Sequence, residues 1–259
     1  MRQVSSFLGV LIDRASLKDC VNKSLGAISG IERPVVFACA NPHSLTTAQS
    51  DTSFRDALNE ADIVVPDGVG ISLLAKVCGI SLGPRITGAD YFFGILNALS
   101  QLGSGKIYFF GSSSTVLELI AQRFKEDFPS LKICGLQSPP FGMWGDEDNA
   151  HMIEAINEAK PDVLWVGMTA PKQEKWVSAN RHKLNVPVIG SIGAVFDFYA
   201  RTFPRAPQWM CKAGLEWLYR LLREPRRMWK RNFLSTPHFV ALSIYRHLLK
   251  IQESSRSSN

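Results

Sequence analysis

The chemistry in this chain gathers where apolar runs end. In "ADIVVPDGVGISLL" (61–74), Asp67 stands between a strand-like run and two glycines. Gly68 and Gly70 allow a tight turn before a helical stretch. The carboxylate suits either a helix cap, accepting from a backbone N–H, or a general base that takes a proton from a hydroxyl. Asn41 closes a second run in "CANPHSL" (39–45). An Asn before Pro serves a turn, and its amide also suits sugar hydroxyls. In "PRITGADYF" (84–92), Arg85 precedes Thr87, Gly88 and Asp90. Asp90 reads as a cap, whereas a guanidinium beside a helix start makes a diphosphate pocket. "FFGSSSTV" (109–116) offers Gly111 and Ser112 at a strand–turn–helix junction fit for a nucleotide phosphate or ribose. "VGMTAPKQEKW" (166–176) repeats the plan: Gly167 ends a run, Pro171 and Glu174 suit a helix start, and Lys172 and Gln173 are left for a ligand. Asp197 in "GSIGAVFDFYA" (190–200) follows another run, as a site residue or a buried cap. Asp146-Glu147-Asp148 matches a metal-binding D-x-D pattern, but acids of this kind belong at helix starts, so no metal site is expected.

The elements that must hold these residues are legible as an alternation. Strand-like runs cover 34–40, 61–66, 106–111, 131–136, 162–168 and 186–191, and helical periodicity covers 90–102, 114–128 and 148–159. Strands apolar throughout and joined by helices predict an α/β fold: a mostly parallel, Rossmann-like sheet with helices on both faces. Such sheets bind ligands beyond the carboxyl ends of their strands, which is where the polar residues above lie. Residues 1–200 are expected to form this catalytic domain. Residues 201–259 change character: they hold 12 of the 29 Lys and Arg but only 3 of the 23 Asp and Glu. They also carry three Trp, and read as a basic, amphipathic, helical appendage that meets an anionic membrane. Five dispersed cysteines argue against a disulfide framework and suit a reducing compartment. No apolar run is long enough for a membrane span, and the N-terminal "FLGVLI" is too short and too soon interrupted by Asp13 for a leader. A cytoplasmic protein is expected.

In order along the chain, "ANPHSL", "ADIVVPDGVG", "RITGADYF", "VGMTAPKQEKW", "GAVFDF" and "RAPQWMCKAGLEWLYRLLREPRRMWKR" resemble the WecG/TagA/CpsF glycosyltransferases (glycosyltransferase family 26) over about residues 33–231. The resemblance implies an inverting, metal-independent transferase that needs no cofactor. It would move a sugar from a UDP-sugar to a polyprenyl-diphosphate-linked sugar in cell-surface or exopolysaccharide synthesis. N-acetylmannosamine, its uronic acid and glucose are all open as the sugar. It implies Asp67 as general base and places Asn41, Arg85 and Gln173 in the pocket. Cys39 stands where the family often has Thr, which puts the donor contacts there in question. A lipid-linked acceptor would place the protein peripherally on the inner face of the cell membrane. Arg220, Arg226, Arg227 and Arg231 of the appendage would meet membrane or phosphate.

Two other classes compete. A nucleotide-binding oxidoreductase would need a third glycine at the position of Leu73, which weakens it. A non-enzymatic membrane or nucleic-acid binder would use the basic tail but leave the strand-end polar residues idle, so no nucleic-acid partner is expected. An apolar face on the appendage helices could also support self-association.

Overall fold

The computed structural model describes residues 2–31, 33–142, 144–203, 206–207, 209–210, 216–223 and 235–256. A short antiparallel hairpin, β1 (Val4–Phe7) and β2 (Val10–Asp13), precedes α1 (Leu17–Ile28). The alternating region then runs β3 (Val35–Ala40), α2 (Pro42–Ser50), α3 (Thr52–Glu60), β4 (Ile63–Pro66), α4 (Val69–Val77), α5 (Gly88–Leu102), β5 (Lys106–Gly111) and α6 (Ser114–Asp127). It continues as β6 (Lys132–Gln137), α7 (Asp146–Ala159), β7 (Val163–Gly167), α8 (Lys172–Asn180), β8 (Val188–Ser191) and α9 (Val195–Tyr199). Two helices follow, α10 (Glu216–Arg223) and α11 (Thr236–Arg256).

Strands β3 to β8 form one six-stranded parallel sheet in the order β4-β3-β8-β7-β5-β6, and all six expected strands are present. Side chains alternate across it, as a period of two requires. Phe37, Val65, Phe109 and Trp165 face a layer of α1, α5, α6 and α9. Val36, Val64, Phe110 and Leu164 face a layer built on α2, α3, α4, α7 and α8, with the hairpin and Phe239 of α11. β3 is followed by α2 in one layer, and its neighbour β8 by α9 in the other. The chain leaves these adjacent strands in opposite directions, which opens a crevice above their carboxyl ends.

The hairpin shields the β4 edge. Buried Asp13 accepts from the Val64 N–H at 2.6 Å and is paired with Arg2 at 2.8 Å. A bare edge would expose unpaired N–H groups to other chains; here a side chain satisfies one of them. At the opposite, amino-terminal end of the sheet, buried Asp62 accepts from the Val36 N–H and holds Arg33 and Arg181. No described helix is long and apolar enough to cross a membrane.

Candidate active site at the strand ends

The crest of the sheet is assembled by backbone bonds between successive strand ends. The Asp67 N–H donates to the Ala40 carbonyl at 2.8 Å, which sets the Asp67 turn against Ala40–Asn41. The Ile86 N–H donates to the Pro66 carbonyl at 3.1 Å, which brings the Arg85 loop alongside the same turn. Asp67 and Arg85, eighteen residues apart, therefore stand on adjoining backbone segments, both half-buried. Gly68 holds the N-cap position of α4 with φ +108°, a conformation that favours glycine. Asn41 is an N-cap: its Oδ1 accepts from the Ser44 N–H at 3.0 Å, and its own N–H donates to Ser44 Oγ. The turn role open to Asn41 in the sequence is thus realised, while its amide nitrogen bonds to no described residue.

Further along the crest, the Ile192 N–H donates to the Val166 carbonyl, and Gly193 packs within reach of Gln173. The Gln173 side chain is buried and held at both ends. Its Oε1 accepts from the Met168 N–H at 3.3 Å and its Nε2 donates to Glu174 Oε1 at 2.8 Å. Glu174 is buried too, and burial pushes its carboxyl up to about 7. Its Oε2, like Ser191 Oγ, bonds to no described residue. Both residues line a small cavity of about 10 Å³ with Val36, Ala38 and Arg181, room for one water.

Cys39 ties the two halves together. It is half-buried by area, yet its sulfur is heavily desolvated. That desolvation, followed by the fields of Asp67, Glu174 and Asp90, holds its thiol well above the usual range. At neutral pH Cys39 is therefore a neutral thiol rather than a thiolate.

Other expected residues have local duties. Gly111 and Gly167 are paired across β5 and β7, and the Ser112 N–H donates to the Gly167 carbonyl at 3.0 Å. Gly111 and Ser112 both adopt positive φ, +125° and +57°. Ser138 bonds the Ser112 carbonyl at 2.7 Å, which extends the crest to β6. Lys172 is exposed, donates to the Gly142 carbonyl and lies 3.7 Å from the Trp144 ring centre. It ties Gly142 and Trp144 to the start of α8. Asp90 completes the α5 capping box with Thr87. Asp197 lies half-buried in the first turn of α9. Asp146, Glu147 and Asp148 form the exposed first turn of α7, and Asp148 accepts from the Gly145 N–H. Among the described residues, no group of three His, Cys, Asp or Glu could hold a metal ion. Arg220 lies on α10; Arg226, Arg227 and Arg231 fall outside the described residues. Glu174 is the site residue that sequence reasoning passed over, as a helix-start acid. The signal for it was its spacing from Val177 three residues on, on a helix whose Trp176 and Val177 are core.

Comparison with known proteins places these features in a wider set. A family model described as "Glycosyl transferase WecG/TagA/CpsF family" matches residues 5–253. A protein of Bacillus spizizenii is 31% identical over 201 residues, covering 78% of this chain and 75% of the relative. One from Bacillus subtilis strain 168 is 29% identical over 237 residues, covering 92% and 86%. One from Staphylococcus aureus strain MW2 is 25% identical over 203 residues, covering 78% and 76%. All three are named N-acetylglucosaminyldiphosphoundecaprenol N-acetyl-beta-D-mannosaminyltransferase.

Proposed function

Because this chain belongs to the WecG/TagA/CpsF family of glycosyltransferases, we propose that it transfers N-acetylmannosamine from its UDP-sugar to a polyprenyl-diphosphate-linked N-acetylglucosamine. In this reading the transfer inverts the sugar carbon and needs no metal ion. The activity named for the relatives supports the sugar and the acceptor. The observation that carries the catalytic assignment is the adjoining of the Asp67 turn and the Arg85 loop at the ends of β3 and β4.

The residues divide the work of a single in-line displacement. The acceptor hydroxyl oxygen attacks the anomeric carbon of the donor as the bond from that carbon to the phosphate oxygen breaks. The hydroxyl proton passes to the Asp67 carboxylate, and UDP leaves with the bonding electron pair. Arg85, on the loop that adjoins that turn, offers fixed positive charge for the leaving diphosphate. Gln173, locked by Met168 and Glu174, and Asn41, with its amide nitrogen turned to no described partner, are the neutral groups for sugar hydroxyls. Cys39 lines the same crest as a small, neutral, weakly hydrogen-bonding group. Residues 201–259 act as a basic appendage that keeps the enzyme on the inner membrane surface, with Arg220, Arg226, Arg227 and Arg231 toward phosphate or headgroups.

The test is transfer from a panel of UDP-sugars to a short-chain polyprenyl-diphosphate N-acetylglucosamine, with and without EDTA. Transfer of N-acetylmannosamine is expected to persist in EDTA. Asp67→Asn, with an unchanged melting temperature, is expected to lower the rate about 10²–10⁴-fold. A folded Asp67→Asn variant with near-wild-type turnover would remove Asp67 as the base, and preference for another UDP-sugar would replace the assigned donor.

A further inference from the structure

We propose that the solvent side of α4, continued by that of α11, is a bilayer-contacting face of the catalytic domain that lays the mouth of the site against an anionic membrane. Helix α4 starts two residues after Asp67 and turns Ile71, Leu74, Ala75 and Cys78 into the core. Its opposite side carries Val69, Leu73 and Val77, 44%, 63% and 62% exposed. Spacings of four residues stack them into one stripe about 12 Å long that begins at the site. A helix on the flank of an aqueous enzyme ordinarily carries charge on that side.

Helix α11 repeats the pattern next door. Phe239 and Ser243 face inward, with the Cys78 sulfur 3.7 Å from the Ser243 carbonyl oxygen. Val240, Ile244 and Leu248 are 38%, 43% and 54% exposed, again four residues apart. Charge selects the occupant. Residues 69–77 contain Lys76 and no acid, and residues 236–250 contain Arg246 and Lys250 and no acid. At the other end of the same layer, α7 exposes Asp146, Glu147, Asp148 and Glu154. A second copy seated on this face would set cations against cations, with no carboxylate in residues 69–77 or 236–250 to meet them; the one acid of α11, Glu253, lies beyond the apolar stripe. An anionic bilayer accepts both the apolar stripes and the cations at their margins. The inference draws on the proposed function in one respect only: a lipid-linked acceptor requires the site to open at a membrane.

The experiment is co-sedimentation of the full chain with phosphatidylglycerol–phosphatidylcholine vesicles. Leu73→Ser combined with Val77→Ser is expected to weaken partitioning about tenfold, with an unchanged melting temperature. Leu73→Phe is expected to keep or strengthen it. Wild-type partitioning by the double-serine variant would overturn the proposal. So would a change of oligomeric state, by light scattering without vesicles, that leaves partitioning untouched, since the face would then belong to a second copy. Transfer to a water-soluble, short-chain acceptor separates the two readings. A wild-type protein inactive on every acceptor defeats the transferase reading while leaving the vesicle result to decide this one.

Discussion

At the scale of single residues, Glu174 is the group whose environment is most at odds with its chemistry. Its carboxylate gains a hydrogen bond from the Gln173 side chain and one from its own backbone N–H, and burial outweighs both. A buried charge with so little compensation is costly, and the pKa near 7 expresses that cost. The sign follows from linkage. The folded-state value lies above the ordinary 4.5, so the stability attached to the protonated acid is fully present below about pH 4.5. It is lost as pH rises through 7. The span corresponds to about 3 kcal/mol at most. Glu174→Gln keeps an oxygen for the Gln173 amide and removes the charge. It is expected to melt with the wild type near pH 4.5 and above it at pH 8. Thermal melts across that range check this, and parallel curves for the two proteins would show that Glu174 does not titrate in the fold. The acid also explains why part of the site escaped sequence reasoning. An acid in the first turn of a helix is normally solvated, and only the placement of Trp176 and Val177 beneath the sheet drives this one inward.

At the scale of elements, the strands were legible because all but the edge strand β6 are apolar on both faces, and their order of polar end-residues was legible because loops must carry the chemistry. The hairpin was not. Its run "FLGVLI" has neither the length of a helix nor a clean alternation, and it is stabilised by partners distant in sequence: Asp13 with Val64, and Asn59 with Leu11 and Gly9. The glycines at the ends of β5 and β7 show the same mixture of meanings. Read from sequence, Gly111 and Gly167 were places for a ligand. In the fold they are also places where no side chain fits. A Cβ on Gly167 would clash with the Phe196 ring, 2.4 Å from its nearest carbon, and one on Gly111 would meet the Gly167 backbone. Close approach here sets α9, and with it Asp197, against the crest. Gly167→Ala is therefore expected to destabilise the protein by about 1–3 kcal/mol, with Phe196→Leu in the same chain restoring part of the loss. Denaturant midpoints measure both, and a Gly167→Ala protein as stable as the wild type would show that α9 can shift without cost.

At the scale of the molecule, charge and core divide differently along the chain. The basic excess begins at about Arg201, and sequence alone marks that point as a boundary between catalytic domain and appendage. Packing continues past it. Phe239 is buried in the same core layer as α2 and α4 and meets the Phe7 ring edge-on at 5.5 Å. Around it, Thr46 donates to the Ser235 carbonyl, His43 bonds Ser235, and Arg246 bonds Gln49. These contacts join the last described helix to both the hairpin and the helix that Asn41 caps, so α11 and the site-bearing elements share one core. Long-range packing of this kind leaves no local signature, because "HFVALSIYRHLL" reads equally as a membrane-surface helix and as a docked one. The two readings separate at Phe239. If α11 only rested on a membrane, Phe239→Ala would cost little in solution. Buried as it is, the loss is expected to be about 3–5 kcal/mol, lowering the melting temperature by about 10 °C in vesicle-free buffer. A smaller cost is expected for exposed Leu248→Ala, which serves as the control. Equal melting of the two variants would show that the core ends before α11.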